Sequence, residues 1–271
     1  MKTGLAEKVV LVTGASGAIG SEIASQFAAE GAKLVLHYRS NRKAAETLHK
    51  RIKPSESIIV RADLAREADV RRLFSETFRR FGRIDSLIAN AGSWESADVP
   101  VQKMTLKQWD STMANVLTST FLCAREFFKI VERQKRGNAV LISSTAGIFG
   151  EAGHVDYASG KSAMAFGMTR TLKNEIARLA PPAADYCGGR VNCICPGWTV
   201  VPRTAPKLAD KPMVKRVTAT MALPKLALPK DIAAAVVFLS SDTLAAHITG
   251  TTMVIAGGME GRLLWAADAG F

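Results

Sequence analysis

The sequence predicts an α/β fold, a doubly wound parallel sheet of about seven strands with helices on both faces. Two observations support this. Short apolar runs alternate with longer amphipathic segments along the chain. The short runs are rich in Val, Ile and Leu without polar alternation, which is typical of parallel strands buried on both faces. Repeated β-α units of this kind wind into one sheet covered by helices.

Each element is predicted from its own pattern. The strands are short and apolar, and lie at 8–13, 33–38, 57–61, 86–89, 139–143, 191–195 and 251–255. The helices carry apolar residues at helical spacing, and lie at 18–30, 42–52, 67–81, 106–134, 157–179 and 230–239.

The segment at about 197–229 interrupts the alternation, because five prolines fall between Pro202 and Pro229. At the carboxyl edge of a parallel sheet, a long insertion usually covers the ligand crevice. We therefore expect one domain over 1–271, with 197–229 as a substrate-covering loop and 259–271 as a C-terminal tail.

Composition bounds the partners and the compartment. No apolar run approaches the ~20 residues that span a bilayer, and the N-terminus has no apolar signal region. We therefore expect a cytoplasmic protein that does not bind membranes. The net charge is +12, but the basic groups fall mostly on predicted helix faces and no nucleic-acid motif accompanies them. No nucleic-acid partner is expected.

Cysteine and histidine spacing gives no indication of a metal site. The cysteines contain no C-x-x-C pair, and the histidines are scattered along the chain; the cysteines are Cys123, Cys187, Cys193 and Cys195. We expect small core residues and no metal.

A glycine-rich turn follows the first strand in T-G-A-S-G-A-I-G. Glycines at this point permit a tight turn and close approach of the backbone to a pyrophosphate, while the next helix offers N–H groups. This strand–turn–helix context predicts a Rossmann-type dinucleotide site. The predicted contacts are Gly14, Ser16, Gly17, Ile19 and Gly20. The alternative is a structural turn without a ligand.

The end of the second strand indicates which dinucleotide binds. A carboxylate here would accept bonds from the adenosine ribose and repel a 2′-phosphate, but none occurs between Lys33 and Ala45. Tyr38, Arg39 and Ser40 are predicted to contact the cofactor, with Arg39 on the 2′-phosphate, since arginine matches phosphate geometry. We therefore predict NADP(H). The alternative is an exposed basic helix start.

Two further strand ends are predicted to contact the adenosine side. Asp63 and Leu64 follow the third strand, and Asn90, Ala91 and Gly92 close the fourth. Carboxyl ends of parallel strands are where such a cofactor lies. Each of these turns, taken alone, is also compatible with an ordinary structural turn.

The stretch Y-A-S-G-K carries the predicted chemistry. Tyr157 and Lys161 are four residues apart, so they share one helix face. A lysine ammonium beside a phenol favours the phenolate, which makes the hydroxyl a general acid/base for an alcohol–ketone pair. Ser144 precedes Tyr157 by thirteen residues.

These motifs together resemble the short-chain dehydrogenase/reductase family, in its compact single-domain branch, and within it the 3-oxoacyl-thioester and carbonyl reductases. The resemblance covers about 8–258. The matching motifs are T-G-x-x-x-x-x-G, A-D-L, N-A-G, Asn115, I-S-S, Y-x-x-x-K, P-G and I-T-G…G-G-M. It implies a small-molecule ketone or secondary alcohol as substrate, and an oligomer, a tetramer or dimer.

The resemblance also implies residue roles. Tyr157 would donate the proton, Ser144 would hydrogen-bond the substrate oxygen, and Lys161 would hold the nicotinamide ribose. Asn115 would hold a water in the proton relay. The residues Pro196 and Gly197 would border the nicotinamide, with Thr199 bonding its carboxamide.

Four positions depart from the family pattern. Ala18 stands where a glycine is usual, Gly160 where serine is frequent, Val201 where threonine is frequent, and Ala256 where aspartate is frequent.

Aromatic residues near the predicted site suggest an apolar or ring-containing substrate. The predicted contacts are Trp94, Phe149, His154 and Trp198. The alternative for each of them is packing within the core. Two alternatives to a general carbonyl reductase remain open here. One is a 3-oxoacyl-[carrier protein] reductase, and the other is a non-catalytic NADP(H)-binding sensor or scaffold.

Overall fold

A computed structural model describes residues 2–93, 95, 97–202 and 204–260. Its seven strands form one parallel sheet in the order β3-β2-β1-β4-β5-β6-β7. The strands are β1 (Val9–Val12), β2 (Lys33–Tyr38), β3 (Ser57–Arg61), β4 (Ser86–Ala89), β5 (Asn138–Ile142), β6 (Arg190–Pro196) and β7 (Thr252–Ile255). The predicted fold class is confirmed.

Helices cover both faces of this sheet. They are α1 (Ala18–Ala29), α2 (Arg42–Arg51), α3 (Glu67–Phe81), α4 (Leu106–Met113), α5 (Ser119–Gln134), α6 (Ala146–Phe149), α7 (Val155–Ser162), α8 (Thr169–Leu179), α9 (Ala205–Leu208), α10 (Lys211–Thr218) and α11 (Pro229–Ser240). Helices α6, α9 and α10 were not predicted. They are too short, or lie in too proline-rich a segment, to show an apolar period.

Two predicted helices are each interrupted by a wider π-helical segment. Ala114–Thr118 joins α4 to α5, and Ala163–Met168 joins α7 to α8. The apolar pattern continues across both joints, so the sequence predicts one helix in each case. Such segments are often found at functional sites. Here Asn115 lies within the first, and Lys161 lies just before the second.

Two apolar clusters hold the helices to the sheet, one on each face. Side chains alternate between faces along a strand, so Leu11 and Val12 enter different clusters. The Leu11 cluster packs α3, α5 and α8 against the sheet through Phe74, Phe127 and Ile176. The Val12 cluster packs α1, α2 and α11 through Ile23, Leu48 and Val236. The central strands are therefore buried on both faces.

The strand order reverses between β1 and β4. The loops after these two strands consequently diverge, which opens a crevice at the carboxyl edge where ligands bind in such sheets. No helix in the described part of the chain has both the length and the hydropathy for crossing a bilayer.

The two ends of the proline-rich segment after β6 pair with each other. The Val200 N–H donates to the Ala227 carbonyl at 2.8 Å, and the Ala227 N–H donates to the Trp198 carbonyl at 3.0 Å. The prediction of one domain with a covering loop and a tail stays a prediction. Residues 261–271 of that tail lie outside the described residues.

A glycine at the crossing of α6 and α7 provides a test of this packing. A Cβ at Gly147 would lie 2.6 Å from the Ser162 nitrogen and 2.7 Å from the Lys161 carbonyl carbon. Both atoms are backbone, so we expect Gly147→Ala to lower the free energy of unfolding by about 1–3 kcal/mol, measured by urea denaturation. Gly167 is a matched control, because a Cβ there would meet no described heavy atom within 4 Å. Equal stability of the two alanine variants would contradict the packing described.

Candidate active site

A cavity of about 650 Å³ lies at the carboxyl edge of the sheet. Its wall contains residues from the loops after β1 to β6. The predicted site residues on this wall are Gly14, Ser16, Gly17, Ile19, Gly20, Arg39, Ser40, Asp63, Leu64, Asn90, Ala91, Gly92, Asn115, Ser144, His154, Tyr157, Lys161, Pro196, Gly197, Trp198 and Thr199. Sequence segments far apart along the chain therefore meet around one space.

Three predicted contacts are not on the part of the wall that the described residues form. Tyr38 is 7% exposed and lies off the wall, which His37 joins instead. Phe149 packs against the small apolar cluster of Met221, Ala256 and Met259. Trp94 lies outside the described residues.

The glycine turn is compact for steric reasons. Gly14 has φ of +67°, which disfavours any residue with a side chain, and its carbonyl accepts from the Gly17 N–H at 3.0 Å. A Cβ on Gly20 would overlap the Gly14 carbonyl oxygen and lie 2.8 Å from the Asn90 Nδ2. The absence of side chains at Gly14 and Gly20 therefore allows the turn to pack closely against the residues that follow β4.

Asn90 and Thr13 anchor this turn to β4. The Asn90 Nδ2 donates to the Thr13 carbonyl at 2.9 Å, and the Ala91 N–H donates to the Thr13 Oγ1 at 3.0 Å. The amide nitrogen of Asn90 thus holds the turn itself. The sequence predicts only that this residue belongs to a small turn beside the adenosine.

His37 anchors the turn from the other side, and sequence reasoning missed it. The Gly14 N–H donates to the His37 Nδ1 at 3.0 Å, and the His37 Nε2 lies 3.0 Å from the Ala62 carbonyl. Burial lowers the pKa of His37 to about 4, so the ring is neutral at physiological pH. The signal that could have identified it is a histidine at the end of β2, next to the position where a ribose-binding carboxylate is expected.

The Arg39 side chain contacts Asn115, and both residues lie on the cavity wall. Its Nη1 donates to the Asn115 Oδ1 at 2.7 Å, and the Asn115 Nδ2 donates to the Ser111 carbonyl at 2.7 Å. The predicted phosphate-binding arginine is therefore bonded here to a residue of the predicted proton relay. Binding a phosphate would require its guanidinium to leave this bond or to share it.

Tyr157 and Lys161 lie together, as their spacing predicts. The Lys161 Nζ is 5.7 Å from the centre of the Tyr157 ring, within the range of cation–π attraction. It also donates to the Ile142 carbonyl at 2.7 Å. Burial lowers the pKa of Lys161 to about 8, so the group is mainly an ammonium at neutral pH. A positive charge is thus held beside the phenol.

Asp156 holds the helix that carries these two residues, and it too was missed. Its carboxylate is 1% exposed; it accepts from the Thr112 Oγ1 at 2.6 Å and from the Tyr157 N–H at 2.8 Å. The first contact ties α7 to α4. An acidic residue in the first turn of a helix is a recognisable signal, although its partner on α4 is not.

Ser144 lies at the end of β5, where the chain turns into α6. Its Oγ accepts from the Ala146 N–H at 3.1 Å, which orients the side chain within the turn. The hydroxyl proton of Ser144 can still be donated to another group, because this bond uses the oxygen as acceptor.

Close packing explains two of the departures from the family pattern, and a third lies on the cavity wall. A Cβ on Gly160 would lie 3.2 Å from the Val116 Cγ1, so a small residue suits the crossing of α7 with the π-helical segment. The Ala256 Cβ would lie 2.7 Å from a Cβ on Gly197, so both small residues fit the close approach of β6 and β7. Ala18 lies on the cavity wall at the first residue of α1.

Two further predicted contacts have intramolecular partners. The Thr199 Oγ1 donates to the Gly197 carbonyl at 3.0 Å. The His154 Nε2 lies 3.0 Å from the Asp98 Oδ1, which connects the loop before α7 to the loop after β4. Among the described residues, no group of three or more His, Cys, Asp or Glu side chains could hold a metal ion.

The cavity fits a dinucleotide on three observations. The glycine turn leaves backbone where side chains would overlap, and the first N–H groups of α1 lack intrahelical partners. A Cβ on Gly92 would lie 3.6 Å from the Lys161 Nζ, so its absence leaves room beside the ammonium. The fold and the site together define a dinucleotide-dependent oxidoreductase.

Comparisons with known proteins agree with this class. A family model described as Enoyl-(Acyl carrier protein) reductase matches residues 14–260. A 3-oxoacyl-[acyl-carrier-protein] reductase of Synechocystis sp. is 33% identical over 259 residues, covering 95% of this chain and 98% of that protein. An acetoacetyl-CoA reductase of Acinetobacter sp. is 33% identical over 256 residues, covering 93% and 98%. The chain belongs to the short-chain dehydrogenase/reductase family, and is an oxidoreductase acting on ketones and secondary alcohols.

The buried ring of His37 predicts a pH dependence of stability. Its pKa is lowered from 6.5 to about 4 on folding, so between these values the unfolded chain binds a proton that the folded chain does not. Stability should therefore fall as pH drops from about 6.5 to about 4, by on the order of 3 kcal/mol from this group. The measurement is urea unfolding of wild type and His37→Asn across that range.

The difference in unfolding free energy between the two proteins should shrink as the pH falls, because the asparagine cannot titrate. A difference that stays constant from pH 7 to pH 4.5 would show that the ring is not held neutral.

Proposed function

We propose that this chain is an NADP(H)-dependent reductase that converts a ketone to a secondary alcohol, with Tyr157 as the general acid. The observation that carries the proposal is the Lys161 Nζ beside the Tyr157 ring, on the wall of a cavity that also contains Ser144. A phenol beside a buried ammonium at a dinucleotide site has the protonation chemistry that carbonyl reduction requires.

When bound, the nicotinamide supplies the hydride. Tyr157 delivers the proton to the substrate oxygen. Ser144 donates a hydrogen bond to the same oxygen as negative charge develops on it, which stabilises the transition state. Lys161, whose Nζ donates to the Ile142 carbonyl, favours the phenolate of Tyr157 by its positive charge. Its other two N–H groups would donate hydrogen bonds to the ribose hydroxyls. We assign to the backbone of Asn115, within the π-helical segment, the water that returns a proton to the phenol.

The preference for NADP(H) over NAD(H) is proposed on charge. Arg39 and Ser40 line the cavity after β2, together with Asn41. No carboxylate occurs at this strand end to repel a 2′-phosphate. The Arg39 guanidinium is long enough to meet a 2′-phosphate at this strand end when it leaves or shares its bond to Asn115.

The substrate class is proposed as a 3-oxoacyl thioester. Both similar proteins are named as reductases of such substrates, one on acyl carrier protein and one on coenzyme A. Trp198 and His154 on the wall provide an apolar and a polar surface for the acyl group. Similarity to reductases also favours an enzyme over the non-catalytic sensor or scaffold.

The family model is named for enoyl reduction, which makes this a second candidate reaction. The pairing of Ser144 and Tyr157 favours the ketone, because both hydroxyls suit a carbonyl oxygen that must receive a proton.

We also propose, from the family resemblance alone, a homotetramer or homodimer, and from composition a cytoplasmic location.

The cofactor preference is testable by removing the guanidinium. Arg39→Ala should raise the KM for NADPH about 10- to 100-fold, since a hydrogen bond to a charged group is lost, and should leave the KM for NADH nearly unchanged. Arg42→Ala is the matched control, because Arg42 pairs with Glu46 on the exposed face of α2. An equal rise in the KM for NADPH and for NADH in Arg39→Ala would contradict the assignment of Arg39 to the 2′-phosphate.

The proton donor is testable by removing the phenolic hydroxyl. Tyr157→Phe should lower kcat for acetoacetyl-CoA about 10²–10⁴-fold, the usual effect of losing one general acid, while the Kd for NADPH changes little. The assay follows NADPH oxidation with acetoacetyl-CoA, crotonyl-CoA and simple ketones. Turnover of crotonyl-CoA without acetoacetyl-CoA would favour enoyl reduction, and binding of NADPH without turnover of any substrate would favour the sensor.

A further inference from the structure

We propose that His37 is a positioning residue for dinucleotide binding, whose neutral ring holds Gly14 and thereby fixes the glycine turn that receives the pyrophosphate. This inference rests on the proposed function, since it supposes that a dinucleotide occupies the turn. It adds a residue outside the sequence motifs that identified the cofactor site.

The hydrogen bonds of the ring select one tautomer. The Gly14 N–H can only donate, so the His37 Nδ1 at 3.0 Å must be unprotonated. The proton then lies on Nε2, which donates to the Ala62 carbonyl at 3.0 Å. The residue is 2% exposed, so water does not compete for either bond. The side chain therefore links the start of the turn to the end of β3.

The strand backbone holds the next residue of the turn. The Ala15 N–H donates to the His37 carbonyl at 2.9 Å, so His37 accepts from two successive N–H groups. With Gly14 held at φ of +67° and bonded to Gly17, the path into α1 is determined. The N–H groups at the start of α1 are then fixed in direction before a ligand arrives. Preorganised donors bind an anion without a further ordering cost.

The charge of the ring matters to this arrangement. The charged groups facing it are Arg39 at the end of β2 and Asp63 after β3. A protonated ring would present an N–H to the N–H of Gly14, which would break the anchor. Burial, the largest influence, lowers the pKa of His37 to about 4, so the anchor stays intact throughout the physiological range.

Two amide substitutions separate the two bonds. In His37→Asn the side-chain oxygen can take the place of Nδ1 and accept from Gly14, whereas the bond to Ala62 is lost. In His37→Gln the longer amide can reach Ala62, whereas the acceptor for Gly14 is displaced. His37→Leu removes both bonds. The control is His49→Asn. His49 lies on α2, and its Nδ1 is 2.7 Å from the hydroxyl of Ser57 on β3, away from the cavity wall that the described residues form.

The experiment measures the Kd for NADPH by fluorescence titration at pH 7.5, and the thermal midpoint of each variant by circular dichroism. We expect His37→Asn to bind within about threefold of wild type, and His37→Gln and His37→Leu about tenfold more weakly, the loss of one hydrogen bond. At saturating NADPH, kcat for acetoacetyl-CoA should stay within about twofold, because His37 does not touch the reacting atoms.

A merely structural role predicts a different pattern. In that case Kd would follow the thermal midpoint, and the asparagine and glutamine variants of equal stability would bind NADPH equally. That result overturns the proposal, as does an unchanged Kd in all three variants. If wild type neither binds NADPH nor oxidises it with any carbonyl, the proposed function fails and this inference falls with it. If the wild type binds and oxidises NADPH while the variants bind NADPH weakly, the proposed function stands, so the two outcomes are distinguishable.

Discussion

The structure depends on a buried ammonium. Lys161 is 4% exposed, and such a charge is costly to bury unless it is hydrogen-bonded. The Ile142 carbonyl provides that bond, while the Ser143 Oγ donates to the Lys161 carbonyl at 2.7 Å. These contacts fix α7 against the end of β5, so Tyr157 and Ser144 come to share one cavity. One buried cation therefore ties α7 to β5 and lies beside the phenol that we propose as the proton donor.

Rigid elements hold the other end of the cavity in a comparable way. The glycine turn is anchored by Asn90 from β4 and by His37 from β2. Each uses a polar side chain to satisfy backbone groups that the turn leaves without partners, as buried backbone requires. The glycine turn and the helix that carries Tyr157 are thus both held by bonds at the ends of strands. Sites built on rigid elements hold their geometry more precisely than sites built on loops.

Much of this arrangement could be predicted from local pattern. Strands β2, β3 and β4 begin and end where the apolar runs do, and Y-x-x-x-K identified the reacting pair because helix spacing alone places the two side chains together. Contacts between distant segments could not be predicted in this way. The side chain reaching the cavity at the end of β2 is His37 and not Tyr38, because one residue along a strand reverses the face. The bond from Asp156 to α4 likewise depends on how two helices cross.

The most direct test of the account is a crystal structure with NADP⁺ bound. We predict the pyrophosphate at the glycine turn, the nicotinamide ribose at the Lys161 Nζ, and the reactive carbon of the ring next to the Tyr157 hydroxyl. A nicotinamide directed away from Tyr157, or a dinucleotide bound outside this cavity, would contradict it.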